Sequence, residues 1–462
     1  MKTISQYSHA YFLGIGGIGM SAICRYLHEL GLNIGGYDKT RTELTDSLQD
    51  LGIQISFEDS VSAFPEWIES HLADTLFVIT PAIPAHHPQR LWLEKQQIPV
   101  YKRAEVLGII TRNTRCLAVA GTHGKTTTSS LLAHILMELN KPFSAFLGGI
   151  STNIGSNYVR NLGSESSLEP ELVVVEADEF DRSFHQLNPS AAIITAIDAD
   201  HLDIYETPHA FKQAFEIFAS KIQTANRPTL FINGDLEWPQ TEHTNRYGRG
   251  LDADYQITEI QITDHQFHFV IRHEEKDYAF IAGLPGYHNV YNAAACIALC
   301  HGFLNIPFTA LQGPIQNFKG VKRRFEYLIN SSKAIVIDDY AHHPEELNMI
   351  ISSVKSLYPE SPITGIFQPH LYSRTQDFAL EFAQSLNALD TALLLDIYPA
   401  REIPIPGITS QYLLSLMNNP NAQVVTKEEL LHWVKEEKPK VLLLLGAGDI
   451  DTLRNPIIKI YE

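Results

Sequence analysis

The chain has 462 residues, more than one hydrophobic core usually serves, and at about 150 residues per domain it divides into roughly three. Its 44% hydrophobic and 19% charged residues exclude a disordered or low-complexity protein. With 35 Lys and Arg against 53 Asp and Glu the net charge is −18, which repels phosphate polymers and argues against DNA or RNA as a partner, although a helix N-terminus with a nearby cation still holds a small anion.

The first residues, MKTISQYSHAYFLGIGGIGM, lack the basic start and unbroken apolar core of a signal peptide, and no later run approaches 18 apolar residues, so a cytoplasmic protein without membrane insertion is expected. Residues 10–15, AYFLGI, read as a strand that breaks into glycines and resumes as a helix in SAICRYLHELG. Gly14, Gly16 and Gly19, with Gly17 and Ile18 between them, fit the GxGxxG spacing in that strand-loop-helix context. Asp38 ends the next strand, where a ribose hydroxyl would find an acceptor. Such a loop lets backbone N–H groups approach a pyrophosphate at the positive end of a helix. On these residues alone it serves NAD or FAD, another nucleotide diphosphate, or merely tight packing of strand on helix. Further apolar segments at LNIGGYD, TLFVIT and IPVYK predict a parallel sheet wrapped by helices over the first 110 or so residues, with TRNTR (111–115) as linker.

A second strand-loop-helix follows in CLAVAGTHGKTTTSSLLAHILMEL. It departs from GxxxxGK[ST], since Val119 takes the first glycine position, yet Gly121, Thr122, His123, Gly124, Lys125, Thr126 and Thr127 supply what a phosphate loop needs. Small residues let amides wrap a phosphate, a lysine meets the terminal phosphates, and a hydroxyl reaches Mg²⁺. Downstream, one strand runs into Glu176 and Asp178 in LVVVEADEFDRSF and another into Asp198, Asp200, His201 and Asp203 in AAIITAIDADHLDIY. Ligands of open α/β sheets bind beyond the carboxyl ends of strands, so these groups are expected to face the phosphate loop and hold a hard cation, with His201 as a nitrogen ligand.

An alternating, β-rich region spans about 255–282, and GLPGYHNVYNAAACIALC reads as a loop feeding a helix. There Cys296 and Cys300 are expected to pack rather than bind metal; with Cys24 and Cys116 they show no CxxC spacing, so neither a disulfide framework nor a zinc site is indicated. The basic turn FKGVKRRFEYL opens a third unit whose segments KAIVIDD, ITGIFQP, TALLLDIY, AQVVT and KVLLLLGAG alternate with helical stretches, again the pattern of an open parallel sheet.

Taken in order, GTHGKTTT, EADEFDRSF, DADHLDIY, GYHNVYNA, GVKRRFE and DDYAHHP resemble the Mur ligases of peptidoglycan precursor synthesis across the whole chain. GIGGIGMSAI with DDYAHHP is most similar to the branch that joins L-alanine to the lactyl carboxylate of UDP-N-acetylmuramate; a recycling branch that attaches a whole peptide to the same sugar nucleotide is the near alternative. From another class, an NAD-dependent oxidoreductase would explain GIGGIGM and Asp38 but leaves Lys125, Glu176 and His201 without a role.

The resemblance implies an α/β protein of three domains: a Rossmann-like UDP-substrate domain at 1–112, a central P-loop ATPase domain at 113–326, and a Rossmann-like domain at 327–462 that delivers the amino acid. It implies that the first glycine loop takes the diphosphate of UDP-N-acetylmuramate and the second the phosphates of ATP, with Mg²⁺ or Mn²⁺ held by Thr126, Glu176 and His201. It further implies that Asn289 and Asn292 lie near adenine and phosphates, that Arg324 and Asp339 contact the nucleotide, and that Tyr340, His342 and Arg374 meet the amino acid. His342 is the candidate base, because histidine titrates near neutral pH. Where FQPHRYTRT is common in the family this chain has FQPHLYSRT, so Leu371 replaces one arginine; Arg401 in YPAREIPI is a candidate to compensate. No carbamylated lysine is expected, since the alanine-adding branch does without one.

Overall fold

The structure is a computed structural model that describes residues 3–112, 114–163, 171–198, 205, 207–222, 227–400 and 402–462. Three sheets follow one another along the chain. The first contains β1 (His9–Leu13), β2 (Asn33–Tyr37), β3 (Gln54–Ser56), β4 (Thr75–Ile79) and β5 (Val100–Lys102) in the order β3-β2-β1-β4-β5, all parallel. This is the doubly wound order in which the crevice for a ligand opens beyond the carboxyl end of β1. β1 is buried in four of its five residues because helices cover both faces of a parallel sheet. The strand stops at Leu13, two residues before the apolar run does, because Gly14 turns away at φ +87.

Among the described residues the second sheet has ten strands. β6 (Arg115–Ala120), β7 (Phe143–Ser151), β8 (Ser156–Asn161), β9 (Leu172–Glu176), β10 (Ala191–Ile194), β11 (Leu230–Asn233) and β12 (Thr244–Gly248) are joined by β13 (Tyr255–Thr263), β14 (Gln266–His273) and β15 (Lys276–Ala282), which fall in the alternating, β-rich region. β6 lies between β10 and β9, parallel to both. Its register pairs Val119 with Glu176 and Ala120 with Ile194, so three strands end level with one another where the phosphate loop begins. Buried residues of the first sheet, such as Phe12 and Val78, share a continuous core with Ala118, Val175 and Ile194 of the second.

The third sheet contains β16 (Glu326–Asn330), β17 (Ile335–Asp339), β18 (Ile363–Phe367), β19 (Thr391–Leu394), β20 (Ala422–Val424) and β21 (Val441–Leu445) in the order β16-β17-β21-β18-β19-β20. Only the edge strand β16 runs antiparallel, and a separate core gathers Val336, Ile366, Leu393, Leu442 and Leu444. By contact density the chain forms two compact units, one of residues 1–258, 270–280 and 291–318, the other of residues 259–269, 281–290 and 319–462. Among the described residues no helix is long and apolar enough to cross a membrane.

Candidate active site

The second glycine loop, the expected phosphate loop, joins β6 to the helix Lys125–Glu138. Gly121 and Gly124 sit at φ +136 and +81, where an L side chain is strained, and the surroundings would reject one as well. A Cβ on Gly121 would stand 2.1 Å from Thr195 Oγ1, and one on Gly124 2.7 Å from Asn292 Oδ1. The end of β10 straps the loop down. Thr195 Oγ1 donates to the carbonyls of Ala120 and His123, Thr122 N donates to Ala196 O at 3.1 Å, and Thr122 Oγ1 lies 3.2 Å from Asp198 Oδ2. His123 Nε2 is 3.9 Å from the same Asp198 oxygen.

No side chain caps the helix that follows, so its first N–H groups face the loop. Lys125 folds back over it, donating to Gly121 O at 2.5 Å and Thr122 O at 3.3 Å and pairing with Glu179 Oε1 at 2.8 Å. Burial raises the Glu179 carboxyl from 4.5 to about 7, against the pull of Lys125. Thr126 and Thr127 continue the first turn, Thr127 buried. Glu176, the last residue of β9, accepts from Gly148 N at 3.1 Å.

The first glycine loop is held differently. Asp38 does more than end a strand: its Oδ2 accepts Gly16 N at 2.8 Å and its Oδ1 accepts Thr40 N, so the carboxylate expected to meet a ribose also pins the loop. Gly17 is the extended N-cap of the helix Ile18–Glu29, again with no side-chain cap. Over Gly19 lies Arg103, whose guanidinium would be 2.6 Å from a Cβ there and which pairs with Asp178 at 3.5 Å. Gly17, Ile18, Gly19, Arg103, Glu176 and Asp178 all line one cavity of about 260 Å³. The first glycine loop and the acidic strand end beside the phosphate loop thus open onto a common space.

In the second unit the doubled residues separate by task. Arg323 reaches inward, to Asp338 at 3.5 Å and Gly446 O at 2.6 Å, and Arg454 also meets Asp338 at 3.3 Å. Both guanidinium groups lie over the Tyr340 ring, at 5.1 and 5.2 Å, but Arg324 is the one that meets Glu346, at 3.4 Å. Asp339 accepts the amides of Phe325 and Ala341. Burial lifts Asp339 to about 6, opposed by Arg324 and those amides.

His342 Nδ1 stands 3.0 Å from Glu346 Oε2, and the amides of His342 and His343 donate to that same oxygen. Burial alone would raise the Glu346 carboxyl, but His342 and Arg324 hold it well below its ordinary value. His370 stacks on Tyr398 and lies 6.1 Å from His342. Burial, then the charges of His342 and Arg374, lower its imidazole to about 4. Among the described residues no hydrogen bond or ion pair is recorded for the Arg374 guanidinium, which is half-buried beside His370. Leu371 adopts φ +71, a left-handed value that a leucine rarely takes.

Asn289 and Asn292 are both buried on the helix Tyr287–Gly302. Asn292 faces Gly124, while the Asn289 amide donates to Pro285 O at 2.6 Å. The expected Asp200, His201, Asp203 and Arg401 lie outside the described residues. Sequence reading passed over Arg103, Glu179, Thr195 and Glu346. Glu179 stood inside the quoted EADEFD and Glu346 three residues after His343, the capping-box spacing, but Arg103 and Thr195 carry no local signal.

Three family descriptions match in chain order: Mur ligase family, catalytic domain, over residues 9–115; Mur ligase middle domain over 119–300; and Mur ligase, glutamate ligase domain, over 323–448. The chain is 47% identical over 453 residues to a UDP-N-acetylmuramate–L-alanine ligase of Porphyromonas gingivalis, covering 97% of each. It is 44% identical over 462 residues to the enzyme of that name from Flavobacterium johnsoniae, covering 99% of each. Among solved structures it resembles a UDP-N-acetylmuramate–alanine ligase of Thermotoga maritima, with TM-score 0.81, 28% identity, and 98% and 99% of the two chains covered. A murein peptide ligase of Psychrobacter arcticus shares the fold at TM-score 0.67 and 20% identity, with 98% of each chain covered.

Proposed function

The chain belongs to the Mur ligase family, and on that premise we propose that it joins L-alanine to the lactyl carboxylate of UDP-N-acetylmuramate, with ATP converted to ADP and phosphate, in the cytoplasm. The observation that supports this reading is the cavity lined by the first glycine loop and by Glu176, whose strand ends level with Val119 just before the second loop: a sugar nucleotide on one loop would there turn its carboxylate toward a phosphoryl group on the other. Residues 1–112, 113–326 and 327–462 are the proposed working parts, for sugar nucleotide, ATP and amino acid in turn.

A carboxylate resists amines because it is anionic and has no leaving group. The reaction therefore begins with transfer of the γ-phosphoryl group to the lactyl oxygen, giving an acyl phosphate and ADP. The alanine amine then attacks the acyl carbon, the C–O bond to phosphate breaks, and the amine loses a proton. Gly121, Thr122, His123, Gly124, Thr126 and Thr127 hold the phosphates, and Lys125 turns from Glu179 and its own loop toward the oxygen that gains charge. Thr126 and Glu176 are the oxygen donors a hard dication takes, and His201 is proposed beside them. A bound Mg²⁺ or Mn²⁺ would neutralise phosphate oxygens there.

Gly14, Gly16, Gly17, Ile18 and Gly19, braced by Asp38, take the diphosphate. Asn289, Asn292, Arg324 and Asp339 are assigned to the ATP nucleotide. Tyr340, His342 and Arg374 are assigned to alanine, with Arg374 for its carboxylate and His342, aligned by Glu346, for the amine proton.

Purified chain given ATP, UDP-N-acetylmuramate and either L-alanine or the recycled tripeptide should release ADP with alanine; turnover with the tripeptide alone would move the chain to the recycling branch. Arg374→Ala should raise the KM for alanine by about tenfold or more, as loss of a charge-assisted hydrogen bond does. If Arg401→Ala leaves that KM unchanged, Arg401 does not compensate for Leu371.

A further inference from the structure

We propose that His9, His71 and Asp74 form a binding site for one divalent first-row transition ion of the Zn²⁺, Co²⁺ or Ni²⁺ kind, at the end of the first sheet opposite its glycine loop. β1 and β4 are neighbours with His9 paired to Thr75, so the short helical turn Leu72–Asp74 that precedes β4 comes to rest beside the start of β1. The scaffold is fixed by backbone bonds: Ser8 N donates to Asp74 O, Asn33 N to Ser8 O, and Asp74 N to His71 O. On it, His71 Nδ1 lies 3.4 Å and His9 Nδ1 3.9 Å from one and the same oxygen, Asp74 Oδ2. The three donor atoms fall within 4.8 Å of one another.

Bonds of about 2.0–2.1 Å to a tetrahedral ion place neighbouring ligand atoms roughly 3.4 Å apart. His71 and Asp74 already stand at that separation, His9 Nδ1 is about half an ångström farther from the shared oxygen, and the two nitrogens, within 4.8 Å of one another, have to approach as the ion binds. The imidazoles stack at 4.0 Å with 25° between planes, so two protonated rings would repel, and because an imidazole lone pair lies in the ring plane, binding one ion turns one ring out of the stack.

Hydrogen bonding alone leaves the geometry crowded. Ser8 Oγ, His71 Nδ1 and His9 Nδ1 all approach Asp74 Oδ2, and Ser8 Oγ is also 2.8 Å from His9 Nδ1. An ion at the convergence gives both nitrogens and the carboxylate a common partner and leaves Ser8 to orient the carboxylate, as outer-shell groups do. Two nitrogens and one carboxylate suit Zn²⁺, Co²⁺ or Ni²⁺ and suit Mg²⁺ poorly. The length of β1, five residues, separates the site from the glycine loop by roughly 15 Å, so the ion is structural or regulatory and takes no part in phosphoryl transfer.

Trp67, one of four tryptophans, has its ring 4.7 Å from His9 and reports on the site. The full chain, stripped with a chelator and held in excess Mg²⁺, is titrated with Co²⁺ while visible absorption and tryptophan fluorescence are followed. One equivalent should bind with a tetrahedral cobalt spectrum and quench fluorescence, and Trp67→Phe should remove the quenching but keep the spectrum. His71→Asn and Asp74→Asn, both at partly exposed side chains, should weaken that equivalent by about tenfold or more and leave ADP release unchanged. The proposal is overturned if the wild-type chain takes up no Mg²⁺-resistant equivalent, or if both variants keep it with the same spectrum.

Discussion

Two glycine loops leave the ends of parallel strands and feed helices, yet they are built on different plans. In the loop of 121–128 the cation is the first helical residue, Lys125, and two left-handed glycines bring the backbone around it. In the loop of 14–19 the first helical residue is Ile18, Gly14 alone has a left-handed φ, and the cation, Arg103, comes from another helix. Lys125 is tied to a carboxylate that is only 3% exposed, while Arg103 meets Asp178 at 37% exposure. On the proposed reaction, the loop that carries its own cation would follow a phosphoryl group as charge shifts, whereas the one that borrows a cation would only have to hold a diphosphate still.

The largest test of this contrast is Lys125→Ala, expected to lower kcat by about 10³-fold or more with the far-ultraviolet spectrum unchanged. A loss under tenfold would erase the distinction between transferring and holding. Next comes Glu179→Gln. Because the folded carboxyl sits at about 7 against 4.5, its stabilising contribution is full below pH 4.5 and lost as pH rises through 7. The stability of the wild-type chain relative to the variant should therefore fall over that window, by about 3 kcal/mol at most. A flat difference in urea unfolding from pH 5 to 8 would show that burial does not outweigh the pull of Lys125 on this carboxyl.

Arg103→Ala should raise the KM for the sugar nucleotide by about 10-fold and spare that for ATP, which steady-state kinetics separate. An equal rise in both would mean that the two loops share their cations. Gly124→Ala should destabilise by on the order of 1–2 kcal/mol through its left-handed backbone, beyond any clash with Asn292. Gly17→Ala, with no atom closer than 3.6 Å to the new methyl and an ordinary φ of −64, should change stability by less than about 0.5 kcal/mol. Comparable losses from the two glycine variants would remove the backbone half of the contrast.

Much of the molecule was legible in advance. Unbroken apolar runs such as LVVVE and VLLLL become fully or nearly buried parallel strands, and the alternation of 255–282 becomes three strands. The doubled Arg323–Arg324 and Asp338–Asp339 were not resolvable by spacing, because adjacent residues differ only in the direction in which the folded backbone, a turn for the arginines and a strand end for the aspartates, presents them. Asp38 was read as a ligand group and also braces its loop, a contact that needs the folded position of Gly16.

By itself the sequence determined what is local: where strands break at glycine, which helix begins on a lysine, and which carboxylates collect at strand ends. These follow from φ preferences, side-chain period and chain order, which act over a few residues. Only the tertiary structure decided partners: Arg103 over Gly19, Glu179 on Lys125, Thr195 strapping the phosphate loop, His9 beside Asp74. Each of those pairs joins residues at least 54 apart in the chain, and their meeting is fixed by sheet order and register, which emerge only when the apolar faces pack.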